Sequence, residues 1–116
     1  MNGTISVVIP CYNLGQYLPE AVESVRQQTR QPIELIIVDD GSTDHHTLDV
    51  LRNCREAGAI VVRTDNQGAS AARNCGIRRA HGDYVLGLDA DDVLLPTFLE
   101  ETGSFLDAKP EIGMAT

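Results

Sequence analysis

Short apolar runs alternate along this chain with stretches whose apolar residues recur every three or four positions. Ser6-Val7-Val8-Ile9, bounded by Pro10, is β-branched and reads as a strand; residues 33–38, 59–62 and 84–88 repeat the pattern. Between the first two, Leu18, Ala21, Val22 and Val25 share one face, which predicts a helix over residues 15–28 ended by Pro32. Leu48, Leu51 and Cys54 mark a second helix, capped from Ser42-Thr43-Asp44 and closed by Gly58. Asp65-Asn66-Gln67-Gly68 is a turn, and residues 69–80 after it are alanine-rich, with Arg78 and Arg79 near the carboxyl end, where cations suit the helix dipole. A fourth helix is predicted over 96–108 with Pro96 at its first position, and residues 112–115 begin a fifth strand. Strict alternation with short connections argues for a mainly parallel, Rossmann-like sheet covered by helices on both faces, a three-layer α/β/α arrangement.

At 116 residues the chain is one domain, and it stops inside an apolar run, as the amino-terminal part of a longer domain would. Its net charge of −8 argues against nucleic-acid binding, which relies on basic patches. An anionic ligand stays open only if something offsets the acids. Cys11, Cys54 and Cys75 are odd in number and lack metal-site spacing, so they read as reduced, partly buried thiols of a cytoplasmic protein. No run approaches the ~20 apolar residues that span a bilayer, and residues 5–9 are too short for a signal peptide. A longer parent protein is expected in the cytoplasm, with the inner face of the membrane as one place of work.

The chemistry gathers where strands end. In open α/β sheets ligands bind outside the carboxyl ends of the strands, and acids stand there twice: Asp39-Asp40 after residues 35–38, and Asp89, Asp91 and Asp92 after 84–88. Phosphate loops of the usual kinds are missing. No G-x-G-x-x-G follows the first strand, and the sole lysine, Lys109, stands far from any strand-to-helix turn, which excludes a P-loop ATPase. The first strand exits instead through Pro10-Cys11-Tyr12-Asn13, where Tyr12 either stacks on a flat base or packs over the first helix. Asp39 and Asp40 either read N–H and O–H donors of a ligand or help cap the second helix; Asp44 reads as a cap. If the strand stays extended, Asp89 and Asp91 fall on one side. Two such charges ~4 Å apart repel by about 4 kcal/mol at an effective dielectric near 20. A hard divalent cation, Mg²⁺ or Mn²⁺, removes that cost and pairs carboxylates with a substrate diphosphate. The competing reading is a solvated turn capping the fourth helix. Arg73 sits in the first turns of its helix, where the dipole disfavours a cation, so an acidic neighbour or a phosphate is expected beside it. His45, His46 and His81 read as surface residues.

Together these segments resemble the family 2 glycosyltransferases of the GT-A fold. The resemblance rests on Ser6-Val7-Val8-Ile9-Pro10-Cys11-Tyr12-Asn13, Ile37-Val38-Asp39-Asp40-Gly41-Ser42-Thr43-Asp44, Asn66-Gln67-Gly68-Ala69-Ser70-Ala71-Ala72-Arg73-Asn74 and Leu88-Asp89-Ala90-Asp91-Asp92. Each is weak alone, but the four stand in order between the right elements. The resemblance implies a nucleotide-sugar site of Pro10, Tyr12, Asn13, Asp39, Asp40, Gly68, Arg73, Asp89 and Ala90, with Tyr12 on uracil or another base and Asp40 accepting from it. It implies a Mn or Mg divalent cation on Asp91, with Asp89 at the ribose or the metal and Asp92 orienting the loop. It implies a nucleoside-diphosphate sugar donor, UDP-sugar foremost, and inverting transfer to a hydroxyl of a carbohydrate or lipid-linked acceptor. The catalytic base of inverting members lies further along the chain than residue 116. Donor binding without efficient transfer is therefore expected, together with self-association through the open edge of the last strand.

Two neighbouring readings fit less well. A phosphoacceptor receiver domain needs an aspartate at the third strand and a lysine after the fifth, whereas Lys109 precedes it. A nucleotidyltransferase making sugar nucleotides needs a glycine-rich basic loop where Pro10-Cys11-Tyr12-Asn13 stands. A non-catalytic nucleotide-binding or assembly module of the same fold remains the alternative function.

Overall fold

The computed structural model describes residues 2–109 and 114–115. The β-branched runs form β1 (Ile5–Cys11), β2 (Glu34–Asp39), β3 (Ile60–Arg63) and β4 (Tyr84–Gly87), and a short β5 (Met114–Ala115) pairs beside β4. The helical stretches form α1 (Leu18–Arg26), α2 (His45–Glu56), α3 (Ala69–Arg79) and α4 (Phe98–Ala108). Strand order is β3-β2-β1-β4-β5, and every described pair is parallel. Chain direction along the sheet reverses between β1 and β4. That switch point is where a crevice opens at the carboxyl ends of an open α/β sheet.

Register sorts the strand residues into two faces. Val7 pairs with Leu35 and Leu86, Val8 with Ile36 and Gly87. Ile5, Val7, Ile9 and Cys11 join the buried residues of α1, α2 and α4 in one large cluster. Val8, Ile36 and Val38 face the other way and meet Ala72 of α3 in a smaller one. The three layers expected from the sequence are present, and they are unequal. The approach of α3 is close because its residues are small: a Cβ built on Gly76 would lie 2.3 Å from Val8 Cγ1.

Element ends differ from the expectations, each for a visible reason. The first helix begins at Leu18 rather than 15, because residues 14–17 form a turn with Tyr17 N–H donating to Leu14 O. It ends at Arg26, well before Pro32; Gln28 Nε2 donates back to the Ser24 carbonyl that the helix leaves unpaired. The fourth helix begins at Phe98, not Pro96, because the Pro96 carbonyl instead accepts from Thr29 N–H at 2.9 Å. Asp44 caps α2 as expected, its carboxylate accepting from Thr47 N–H and Oγ1–H. Of the strand expected at 112–115, residues 112 and 113 lie outside the described residues.

At the opposite, amino-terminal edge of the sheet the ties are different. Asp107 accepts from Tyr84 O–H (2.6 Å), Gly3 N–H (2.9 Å) and Arg30 (3.1 Å), which together lower its carboxyl to about 2. This set fastens α4 to the start of β1 and β4.

Candidate functional site

The exits of β1, β2 and β4 surround a cavity of about 380 Å³. Pro10 and Tyr12 from the β1 exit, Asp40 from the β2 exit, Asp89 and Asp91 from the β4 exit and Arg73 of α3 all line it. Pro10 is buried, and Tyr12 keeps 41% of its surface exposed, a ring free to be covered. Cys11 also borders the cavity, and burial pushes its thiol up to about 11, so it stays neutral and unreactive near pH 7. A second cavity of about 390 Å³ adjoins the first and shares Arg73 and Asp89 with it; its lining is mixed, with Asp92 beside Leu86, Leu88 and Phe98. The shared wall is the Arg73–Asp89 ion pair, 3.4 Å apart. The cation in the first turns of α3 thus has the acidic neighbour that the sequence called for.

After Gly87 the chain turns sharply. Leu88 N–H still donates to Val8 O, and Asp92 N–H closes a turn onto Asp89 O at 3.0 Å. Ala90 is 1% exposed and packs into the core, so the residues around it project outward. Asp89, Asp91 and Asp92 are all exposed, and each brings a carboxylate oxygen within 4.8 Å of the others'. Such an oxygen-only set fits a hard divalent cation, which gathers carboxylates and substrate oxygens. Among the described residues only Asp89 of the three has a protein partner, Arg73.

The other acidic pair is arranged differently. Asp39 and Asp40 are each 3% exposed. Asp39 accepts from Ser42 N–H (2.8 Å) and from Arg63 (2.6 Å). Asp40 accepts from Thr64 O–H, Gln67 N–H and Gly68 N–H, each at 2.8 Å. Burial pushes the Asp40 carboxyl up, but the three donors outweigh it and hold the carboxyl below its ordinary value. Gly68 makes this closure possible: it adopts φ +101°, a left-handed conformation that favours glycine, immediately before α3.

Seven of the residues singled out from the sequence therefore meet at one cavity: Pro10, Tyr12, Asp40, Arg73, Asp89, Ala90 and Asp91. Three others line neither cavity. Asn13, at φ 52°, accepts from Thr43 N–H and Asp44 N–H through its side-chain oxygen and so clamps the β1 exit to the start of α2. Asp39 is spent on Ser42 and Arg63, and Gly68 is the hinge that brings its N–H to Asp40. Asp40 borders the cavity, and three of its carboxylate's roughly four acceptor positions are taken by the protein's own donors. Arg63 was not anticipated as a partner. Its signal is faint: it ends β3 opposite Asp39 in the strand register, and neither residue's neighbours in sequence reveal that pairing.

The family model for glycosyl transferase family 2 matches residues 6–114, and the chain belongs to that family. It is 40% identical over 102 residues to glycosyltransferase GlyG of Streptococcus pneumoniae, covering 86% of this chain and 34% of that protein. Among solved structures it superposes on S. aureus TarS 1-349 in complex with UDP-GlcNAc with TM-score 0.80 and 30% identity, covering 90% of this chain and 31% of that one. The mannosyltransferase PcManGT of Pyrobaculum calidifontis, in complex with GDP-Man and Mn2+, gives TM-score 0.75 at 26% identity, over 90% of this chain and 32% of that one. The fold is that of the GT-A glycosyltransferases, and the chain spans about a third of the length of these relatives.

Proposed function

We propose that this chain is the donor-binding half of an inverting glycosyltransferase that uses a nucleoside-diphosphate sugar, with a UDP-sugar as the donor. One observation carries the reading: a single cavity is bordered by an exposed aromatic ring, Tyr12, by the carboxylates Asp89 and Asp91, and by Arg73 paired with Asp89. A ring that can stack on a base, a cation that can face phosphate and oxygen ligands for a metal are the three parts a nucleoside diphosphate needs. The ligands of TarS and PcManGT support the same class of donor.

In this reading Tyr12 and Pro10 hold the base, and Asp91 with Asp89 holds Mn²⁺ or Mg²⁺. Asp92 completes the turn. When bound, the cation neutralises charge on the diphosphate as it departs. Arg73 supplies a second positive charge and exchanges its carboxylate partner for phosphate oxygens. The acceptor in this reading is a carbohydrate or lipid-linked hydroxyl; the chain spans only about a third of its relatives' length, and by itself it is expected to bind donor and transfer poorly.

Calorimetric titration of UDP into the 116-residue chain, with and without Mn²⁺, tests this. Binding that strengthens with Mn²⁺ is expected, with GDP a weaker competitor. Failure of every nucleotide to bind a chain shown to be folded would sink the donor-site reading, and GDP outcompeting UDP would overturn the choice of base.

A further inference from the structure

The acidic turn is held in place by a part of the molecule that touches no ligand in the reading above. Upstream, Leu88 N–H is fixed to Val8 O in the sheet. Downstream, the chain from Leu94 to Leu99 is hydrogen-bonded to Ser24 in the last turn of α1 and to Gln28 and Thr29 just after it. Ser24 Oγ accepts from Leu94 N–H at 3.1 Å. Gln28 Nε2 donates to Leu95 O at 2.7 Å, and Gln28 Oε1 accepts from Leu99 N–H at 2.9 Å. Thr29 N–H donates to Pro96 O at 2.9 Å. Gln28 is 4% exposed, so these bonds do not compete with water. An amide is the side chain this position needs: it must donate to carbonyls and accept from an N–H at the same time, which neither a carboxylate nor an ammonium does. Between the two fixed ends, the turn's own backbone contributes the single bond from Asp92 N–H to Asp89 O among the loop bonds described.

We infer that Gln28, assisted by Ser24, is a positioning residue for the carboxylates of Asp89, Asp91 and Asp92. The inference rests on the donor-site reading above. Like charges drawn together are stable only when something fixes their backbone or a cation joins them. A turn fixed at both ends presents its oxygens without first being ordered, so ligand binding bears less of that entropic cost. Loss of the downstream fastening lets the carboxylates spread, and the effect falls on the metal-dependent part of donor binding. Removing a group hydrogen-bonded directly to a metal ligand changes metal affinity by roughly 10–100-fold; Gln28 acts one step further out, through the backbone of Leu95 and Leu99, so an effect at the low end of that range is expected.

The test uses the 116-residue chain with two readouts. The first, without ligand, is hydrogen exchange at the Leu94 and Leu99 amides. The second is the ratio of UDP affinity with Mn²⁺ to UDP affinity without it. Gln28→Met keeps length and bulk while removing both hydrogen-bonding functions. It is expected to speed exchange at both amides and to lower the Mn²⁺ enhancement about tenfold. Ser24→Ala is expected to act in the same direction to a smaller extent, and it decides the matter if Gln28→Met does not fold. Val50→Ala, a truncation in the core beneath α2, is expected to reduce stability and leave the ratio at its original value. Amides that stay protected in Gln28→Met overturn the inference whatever the ligand does. Open amides with an unchanged ratio also overturn it, as does an equal drop in Val50→Ala. An original chain with no Mn²⁺ enhancement defeats the donor-site reading instead, and the inference falls with it.

Discussion

The molecule carries two sets of acids at strand ends, and they have opposite fates. Asp39 and Asp40 at the end of β2 are buried and accept from five donors: Ser42 and Arg63 for the first, Thr64, Gln67 and Gly68 for the second. Asp89, Asp91 and Asp92 after β4 are exposed, and among the described residues only Asp89 has a partner. Both sets stand after parallel strands at one edge of one sheet. A carboxylate surrounded by its own protein's donors organises loops, whereas one facing solvent beside its like is available to a cation. The difference lies in what the next loop offers: the chain after β3 returns its N–H groups to Asp40, and among the described residues nothing comparable returns to the turn after β4.

That contrast is open to attack, the largest effect first. Asp40→Ala leaves two backbone N–H groups and a hydroxyl without their buried acceptor, and is expected to lower the unfolding free energy by about 3 kcal/mol. Asp91→Ala, exposed and relieved of its neighbours, is expected to stay within about 0.5 kcal/mol of the original chain or to gain slightly. Urea denaturation of both variants decides; equal losses would erase the distinction between the two sets.

Asp91→Asn probes the available set by function. It is expected to fold with unchanged stability and to lose most of the Mn²⁺-dependent UDP binding, by well over tenfold, since it removes a ligand rather than a ligand's support. Titration of UDP with and without Mn²⁺ reads this directly. Retention of the full Mn²⁺ effect would move the cation away from this turn.

The smallest effect calibrates what donors do to an acid. Asp107 is held at about 2 by Tyr84, Gly3 and Arg30, and Asp40 is lowered too. Both bind protons less readily folded than unfolded, so their contribution is complete above about pH 4 and is lost as pH falls. For Asp107 the loss spans about pH 4 to about pH 2. Asp107→Asn is expected to flatten the decline of stability with pH across that window in a series of urea titrations. An unchanged slope would show that the donors around Asp107 do not act as described.

The element order was legible because buried parallel strands are continuous β-branched runs and their covering helices carry periodic apolar faces. The ends were less so. Pro96 resembles a first helical residue in sequence, but its carbonyl is recruited by Thr29, a partner far away along the chain. The carboxylates, Tyr12 and Arg73 were visible as candidates because their residue types are conspicuous at strand exits. Which acids are free was not visible, since the donors that occupy Asp40 come from residues 64–68 and become its neighbours only after β3 pairs with β2. The loop role of Asn13 was hidden for the same reason: the N–H groups of Thr43 and Asp44, which its side-chain oxygen accepts from, stand about thirty residues further along the chain. Gln28 gave no warning, because a glutamine near a helix end looks like surface in any one-dimensional pattern.

The nearness of α3 to the sheet changes what alanine means here. At most positions alanine is a subtraction, used to ask what a side chain contributes. At Gly76 it is an addition, a methyl group directed at Val8 where there is room for none. A systematic alanine scan of this helix would record its sharpest response at the residue with no side chain to remove. Arg73, less than one turn away, rides on the same backbone, so the disturbance would reach the wall between the two cavities from behind.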